Sequence, residues 1–184
     1  VPYGTTLMNV ANTNRAAGNL LEALAYFRQV RDIYQGQVSP YDILMATYYN
    51  NGAMLYQDLG DFDKAVDSFE QALVIIERHD KAGNEIATIY VSLGESLLRA
   101  GRLDEAKDRL AEAVRRYQLM GERGYHYSAA LSAMAETFYR QGDLVQALKY
   151  YELAAEEIYG IYGDNDTYRV IMGNIETVKS QLMN

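Results

Sequence analysis

The chain has 184 residues, of which 49% are apolar, enough for one compact domain or one short repeat array. Its 17 basic and 25 acidic residues give a net charge of −8, and no basic stripe is visible, so nucleic acid is not an expected partner. No apolar run approaches the length of a membrane span, and the absence of cysteine excludes disulfides and thiolate chemistry.

The chain begins Val1-Pro2-Tyr3-Gly4, without an initiator methionine and without a charged and then apolar signal region. We therefore expect a cytoplasmic segment of a longer chain, with no membrane as partner.

One short phrase recurs four times along the chain and predicts the fold. It starts with a glycine, and an alanine follows five positions later. The glycines of the four copies are Gly18, Gly60, Gly101 and Gly142, with spacings of 42, 41 and 41 residues. A fixed period of this size is typical of a stacked repeat array.

Each repeat is expected to be an antiparallel helix pair, with the four repeats at about 3–40, 41–81, 82–122 and 123–163. In the second repeat, apolar spacing predicts a first helix over 41–59. Gly60 suits the left-handed residue that ends a helix, and Asp61 suits the N-cap of the next one. The second helix then starts at Phe62 and continues at least to Ile76.

Small residues at matching positions predict a close approach of the two helices in each pair. In the second helices these residues are Ala23, Ala65, Ala106 and Ala147. In the first helices they are Ala11, Ala53, Gly94 and Ala135. Large residues nine positions after each loop glycine are expected to fill the surrounding space, namely Phe27, Phe69, Leu110 and Tyr151.

A ninth helix is predicted after the fourth repeat. Asp164 to Thr167 forms a turn with a ready N-cap, and the following residues are helical in pattern up to Leu182. The turn has some likeness to a calcium loop, but the further oxygen ligands are missing, so capping is the favoured interpretation. The segment 166–183 is expected to cap the exposed edge of the core.

The Gly-Asp-Leu/Phe-x-x-Ala pattern, with its aromatic and small residues, resembles the tetratricopeptide repeat. The period of 41–42 residues is longer than the usual 34, and is similar to the longer repeats of kinesin light chains and many bacterial regulatory proteins. The extra length is expected between Ile76 and Ile86 and at the equivalent places. The resemblance implies an all-α right-handed superhelical solenoid of about nine helices, forming a single domain over 1–184.

The resemblance also implies a concave groove, lined by the first helix of each repeat, that binds a peptide or a partner helix. The groove positions carried over by their offset from the loop glycine are Asn9, Asn12, Asn50, Asn51, Met54, Glu95, Arg99, Glu136, Arg140 and Asn174. Asn9, Asn51 and Asn174 resemble the asparagine ladder of kinesin light chains, in which an amide both donates to and accepts from a peptide backbone. The alternative is that Asn9 and Asn51 pair with neighbouring helices.

A second ligand class of the same family is the acidic chaperone tail, which needs cations in the groove. Met8, Thr88 and Ser92 occupy those positions here, so this ligand is rejected. Arginines alternate with carboxylates along the implied groove, which favours a ligand of mixed charge. The residues concerned are Arg15, Arg99 and Arg140, with Asp58, Glu95 and Glu136.

Nothing in the sequence predicts catalysis, a metal or a cofactor. His79 and His126 lie near turns of different repeats without a metal-binding motif, so surface positions are favoured for both. The carboxylate pair Glu156 and Glu157 is expected on a solvated face. The 17 tyrosines could form an aromatic ligand cage, but packing between helices is the favoured interpretation.

Three functions remain open from the sequence. The first is a non-catalytic module that binds a protein or peptide. The second is a structural or self-association segment, giving a homo-oligomer. The third is a sensor domain that controls an effector outside this segment.

Overall fold

The computed structural model describes residues 1–79 and 83–183. Over these ranges the chain forms nine α-helices and no strand, which confirms the predicted all-α class. The helices are α1 (Pro2–Ala16), α2 (Leu20–Tyr34), α3 (Ile43–Asp58), α4 (Phe62–Arg78), α5 (Asn84–Arg99), α6 (Leu103–Met120), α7 (Tyr125–Arg140), α8 (Leu144–Tyr162) and α9 (Asp166–Leu182). The expected boundary between the second and third repeats, at 81 and 82, lies outside the described residues.

Each helix pair is closed by the same glycine turn. The four loop glycines have φ angles of 81°, 76°, 78° and 81°, a region in which a Cβ atom is disfavoured. In every copy the N–H after the glycine donates to a carbonyl five residues earlier at 2.9 Å, as Asp61 does to Tyr56. This bond defines a Schellman motif, so the repeated glycine is turn chemistry, as predicted for Gly60.

Side chains at the start of several helices supply the predicted caps. Asp61 accepts from the backbone N–H of Lys64 at 3.3 Å, and Asp143 accepts from that of Gln146 at 3.0 Å. Asn165 begins α9 by accepting from the N–H of Tyr168 at 2.9 Å. These bonds satisfy backbone donors that have no partner inside the helix.

The chain divides into two compact units, Val1–Ala82 and Gly83–Asn184. In the first compact unit, α1 packs on α2 and α3 packs on α4, and α1 also contacts α3. In the second compact unit, α5 pairs with α6 and α7 with α8, while α9 packs on α8. The single domain over 1–184 stays a prediction. Among the described helices, none combines the length and the apolar character that crossing a bilayer requires.

The small residues lie where the two helices of each pair meet. All four repeat alanines of the second helices are fully buried, and their counterparts in the first helices are buried as well. The large residues that follow, such as Phe69 and Leu110, are also buried. The approach is very close at Gly94 of α5, where an added Cβ would lie 2.5 Å from Cγ of Leu110. The predicted packing is therefore confirmed.

Glu157 corrects one expectation, because it is only 3% exposed rather than solvated. Its Oε1 accepts from the N–H of Gly124 at 2.6 Å, and its Oε2 pairs with Arg123 at 2.6 Å. Gly124 precedes α7 and has no side chain to cap that helix, so Glu157 supplies the acceptor from α8. The equivalent positions in the first two repeats hold Ile33 and Ile75, which is the signal that this position faces inward.

Two glycine substitutions test the close approach of α5 and α6. Gly94→Ala should lower the free energy of unfolding by about 1–2 kcal/mol, because overpacking against Leu110 exceeds the gain of about 1 kcal/mol in helix propensity. Gly173→Ala in α9 should raise it by about 0.5–1 kcal/mol, because no described heavy atom lies within 4 Å of the added Cβ. Urea denaturation followed by circular dichroism measures both. Equal gains in the two variants would contradict the packing.

Candidate functional site

In the first compact unit, the predicted binding residues lie along α1 and α3, on what we call the first-helix face. Asn9 is exposed, whereas Asn50, Asn51 and Met54 are half-buried. In the ranges that the structure describes, the side-chain amides of Asn9, Asn50 and Asn51 have no hydrogen-bond partner. Among the described residues, Asn9 and Asn51 therefore do not pair with neighbouring helices, and their amides can donate to and accept from a ligand.

Two polar atoms of α1 are buried without a partner in the described chain. They are Oδ1 of Asn12 and Nε of Arg15, which lie one turn apart. Arg15 also binds Asp58 of α3, with Nη1 3.0 Å from Oδ2. An unsatisfied buried donor or acceptor costs free energy, and such groups in native structures call for a structural or functional reason.

In the second compact unit, the first-helix face carries carboxylates and arginines one turn apart. On α5, Glu95 precedes Arg99; desolvation raises the pKa of Glu95, while the charge of Arg99 acts in the opposite direction. On α7, Nε of Arg140 donates to Oε1 of Glu136 at 2.8 Å, and Nη1 donates to the carbonyl of Leu98 at 3.3 Å. The face thus presents a salt bridge on α7 and charges of both signs on α5.

Tyr151 of α8 also contacts Glu136. Its ring is buried, and its hydroxyl donates to Oε2 of Glu136 at 3.1 Å. Burial, the charge of Glu136 and this hydrogen bond together raise the pKa of the Tyr151 hydroxyl. The hydroxyl therefore stays protonated and holds the Glu136 carboxylate in place.

Helices α7, α8 and α9 line an open pocket of about 70 Å³ in the second compact unit. Its lining consists of Glu136, Tyr139, Tyr151, Asn174, Thr177 and Val178. The structure thus brings together two predicted residues, Glu136 and Asn174, with Tyr151, Thr177 and Val178, which the sequence did not assign to the site. Tyr151 occupies the position of Phe27 and Phe69, and a hydroxyl in that apolar series was the available signal.

The C-terminal turns of successive first helices are linked in the same way within each compact unit. Arg15 binds Asp58 between α1 and α3, the carbonyl of Leu98 accepts from Arg140 between α5 and α7, and Gln181 donates to Tyr139 at 2.7 Å between α9 and α7. Each link joins a residue three positions before one loop glycine to a residue two positions before the next loop glycine. For α9, residue 183 stands at the position of that next glycine. Arg140 therefore helps to hold neighbouring helices together.

Several tyrosines fill space between helices, as the packing interpretation predicts for them. Tyr34 and Tyr117 are fully buried, and the hydroxyl of Tyr117 lies 3.0 Å from that of Thr88. Tyr48 of α3 packs against Phe27 and Tyr34, with ring centroids 5.7 and 6.5 Å apart. Burial is the main cause that raises the pKa of Tyr48 to about 12.

The two histidines are exposed. Nε2 of His79 lies 2.7 Å from the carbonyl oxygen of Tyr41, which places this ring in a local contact at the end of α4. Within the described ranges, no group of three or more His, Cys, Asp or Glu side chains is arranged to hold a metal ion.

A family model described as tetratricopeptide repeat matches residues 3–78 and 85–156. The chain therefore belongs to the tetratricopeptide repeat family. Repeats of this family typically mediate protein–protein interaction and generally act as non-catalytic scaffolds. A search of curated proteins finds no significant match.

Solved structures with the same fold include BtubC (BKLC) from P. vanneervenii, with a TM-score of 0.79 and 20% identity over 95% of this chain and 70% of that one. A Podosopora anserina putative kinesin light chain with nearly identical TPR-like repeats has a TM-score of 0.72 and 15% identity over 97% and 95%. The apo form of RapI has a TM-score of 0.85 and 11% identity over 99% of this chain and 65% of RapI. These likenesses confirm the tetratricopeptide-like solenoid class.

The raised pKa of Tyr48 predicts a loss of stability at alkaline pH. The fold disfavours the ionised ring, so unfolding releases a proton between about pH 10 and about pH 12, and the free energy of unfolding falls as pH rises through this window. Tyr48→Phe should make the fall shallower, whereas Tyr3→Phe should not, because Tyr3 is 65% exposed. Urea denaturation at a series of pH values measures the slopes. An unchanged slope in Tyr48→Phe would contradict the assignment.

Proposed function

We propose that this segment is a non-catalytic binding module in which the first-helix face of each compact unit can hold an extended peptide or a helix of a protein partner. The observation that carries the proposal is the set of unpartnered amides of Asn9, Asn50 and Asn51 on neighbouring helices of the first compact unit. In this proposal the module works in the cytoplasm, with neither nucleic acid nor a membrane as its partner.

The amides fit a peptide backbone by their chemistry. A peptide group offers one donor and one acceptor, and a side-chain amide can satisfy both. The unpartnered atoms of Asn12 and Arg15 are buried, so the contacts with a ligand in this proposal come from Asn9, Asn50 and Asn51. Contacts of this kind bind the main chain of a ligand, so they support affinity without selecting a sequence.

The second compact unit supports selectivity. Glu95 with Arg99 and Glu136 with Arg140 place both signs of charge along its first-helix face. A partner side chain of either sign meets a complementary group at one position and a like charge at the next. This alternation favours a ligand of mixed charge over a uniformly acidic or basic one.

Self-association is the second candidate function, and the exposed apolar side chains of α9 favour it. Val170 is 65% exposed and Leu182 is 44% exposed, and Met183 follows the helix with 82% exposure. A second copy of the chain could cover these side chains. Light scattering at increasing concentration separates this candidate from peptide binding, since it requires a rise in mass without any added ligand.

Asn51→Ala tests the amide contacts. It should weaken binding about five- to hundred-fold, equivalent to about 1–3 kcal/mol, because peptide groups of the ligand lose their partner. The loss should be similar for partners of different sequence. A peptide display screen followed by calorimetry measures it. Gln71→Ala, which removes an exposed amide from α4, is the matched control and should bind like the parent. A stronger loss in the control than in Asn51→Ala would move the site away from the first-helix face.

Arg99→Glu tests the charged residues. Since side-chain charge selects among ligands, this change should alter the ranking of peptides in the same screen rather than weaken all of them equally. Acidic side chains in the selected peptides should give way to basic ones. An unchanged peptide ranking would refute a role of Arg99 in selectivity.

A further inference from the structure

The pocket between α7, α8 and α9 has hydrogen-bonding capacity that the fold does not use. The amide of Asn174 has no partner in the part of the chain that the structure describes, so it offers N–H donors and a carbonyl acceptor. The hydroxyl of Tyr139 accepts from Nε2 of Gln181 at 2.7 Å and keeps its own hydrogen to donate. Glu136 accepts one bond at each carboxylate oxygen and retains further lone pairs.

The charges around the pocket are balanced. Nε of Arg140 lies 2.8 Å from Oε1 of Glu136, and the carbonyl of Leu98 holds the same guanidinium. An added cation would meet a carboxylate that is already compensated, and an added anion would lie beside Glu136. Tyr151 contributes a neutral hydroxyl. The pocket therefore favours a neutral polar group.

The size of the pocket limits the ligand to a small group. Its volume is about 70 Å³, whereas one water needs roughly 10–15 Å³ and a benzene-sized cavity is about 150 Å³. Val178 and the ring of Tyr151 provide apolar walls that methylene groups can contact. A planar carboxamide on a short aliphatic stem meets these limits.

We infer that this pocket binds a primary carboxamide, the side chain of an asparagine or glutamine in the bound peptide. The carboxamide N–H₂ donates to Glu136, and its carbonyl accepts from Asn174 or Tyr139. An apolar side chain of the same size leaves these hydrogen-bonding groups unpaired. A pocket that forms hydrogen bonds with its ligand discriminates strongly against a ligand that lacks the matching groups. The inference rests on the proposed function and adds the chemical class of one partner residue.

Small probes test the pocket without a known partner. Propionamide, sodium propionate and propylammonium chloride, which match in chain length, are titrated into the isotope-labelled full chain and followed by NMR. Propionamide should shift the signals of Asn174 and Thr177, and it should bind about tenfold more tightly than either charged probe. Asn174→Leu should abolish these shifts at Thr177. Gln71→Leu, the same change on the exposed face of α4, should leave them unaltered.

Equal binding of the charged probes, propionamide binding that survives Asn174→Leu, or no propionamide shift at the pocket would each overturn the inference. Peptides from the display screen add a second readout. Replacement of one asparagine or glutamine by methionine should weaken the selected peptides about five- to hundred-fold. Peptides that bind but tolerate this replacement everywhere overturn the pocket and leave the proposed function standing. A screen without any binder overturns the proposed function, and the probe titration then decides the pocket chemistry by itself.

Discussion

The close approach of two helices joined by a left-handed glycine is the constraint on which the rest of the structure depends. The turn at Gly60 leaves no room for a long connection, so the second helix must fold back directly against the first. That arrangement is possible only if the facing residues are small, and Ala53 and Ala65 are both fully buried. In the third repeat even an alanine is too large at this position, and the first helix has Gly94.

This packing determines which side of each first helix is available to a ligand. One side of each first helix packs against the second helix of the same pair. The ends of successive first helices within a compact unit are joined by links such as Arg15 to Asp58. The remaining side presents Asn9 and Asn51 with unused hydrogen-bonding groups. Because no protein group in the described ranges uses their donors and acceptors, these amides are available to a ligand.

The second compact unit shows how one change in a packing series creates a chemical site. The large residue nine positions after the loop glycine is phenylalanine twice and leucine once, and it fills apolar space. Tyr151 fills the same space, but its hydroxyl must find a partner, and Glu136 supplies it. The carboxylate in turn holds Arg140, so a single hydroxyl organises the wall of a polar pocket.

The sequence by itself determined the helix pairs, their turns and caps, and the small residues at their contacts, because these depend on local backbone chemistry and on a period that repeats four times. The sequence also predicted which amides lie on the first-helix face, because residues at the same offset from the loop glycine occupy equivalent positions in each repeat. Only the tertiary structure placed Glu157 inside as a cap for α7 and joined Glu136, Tyr151 and Asn174 in one pocket. Those contacts join side chains from different helices, and their geometry depends on packing that no local pattern encodes.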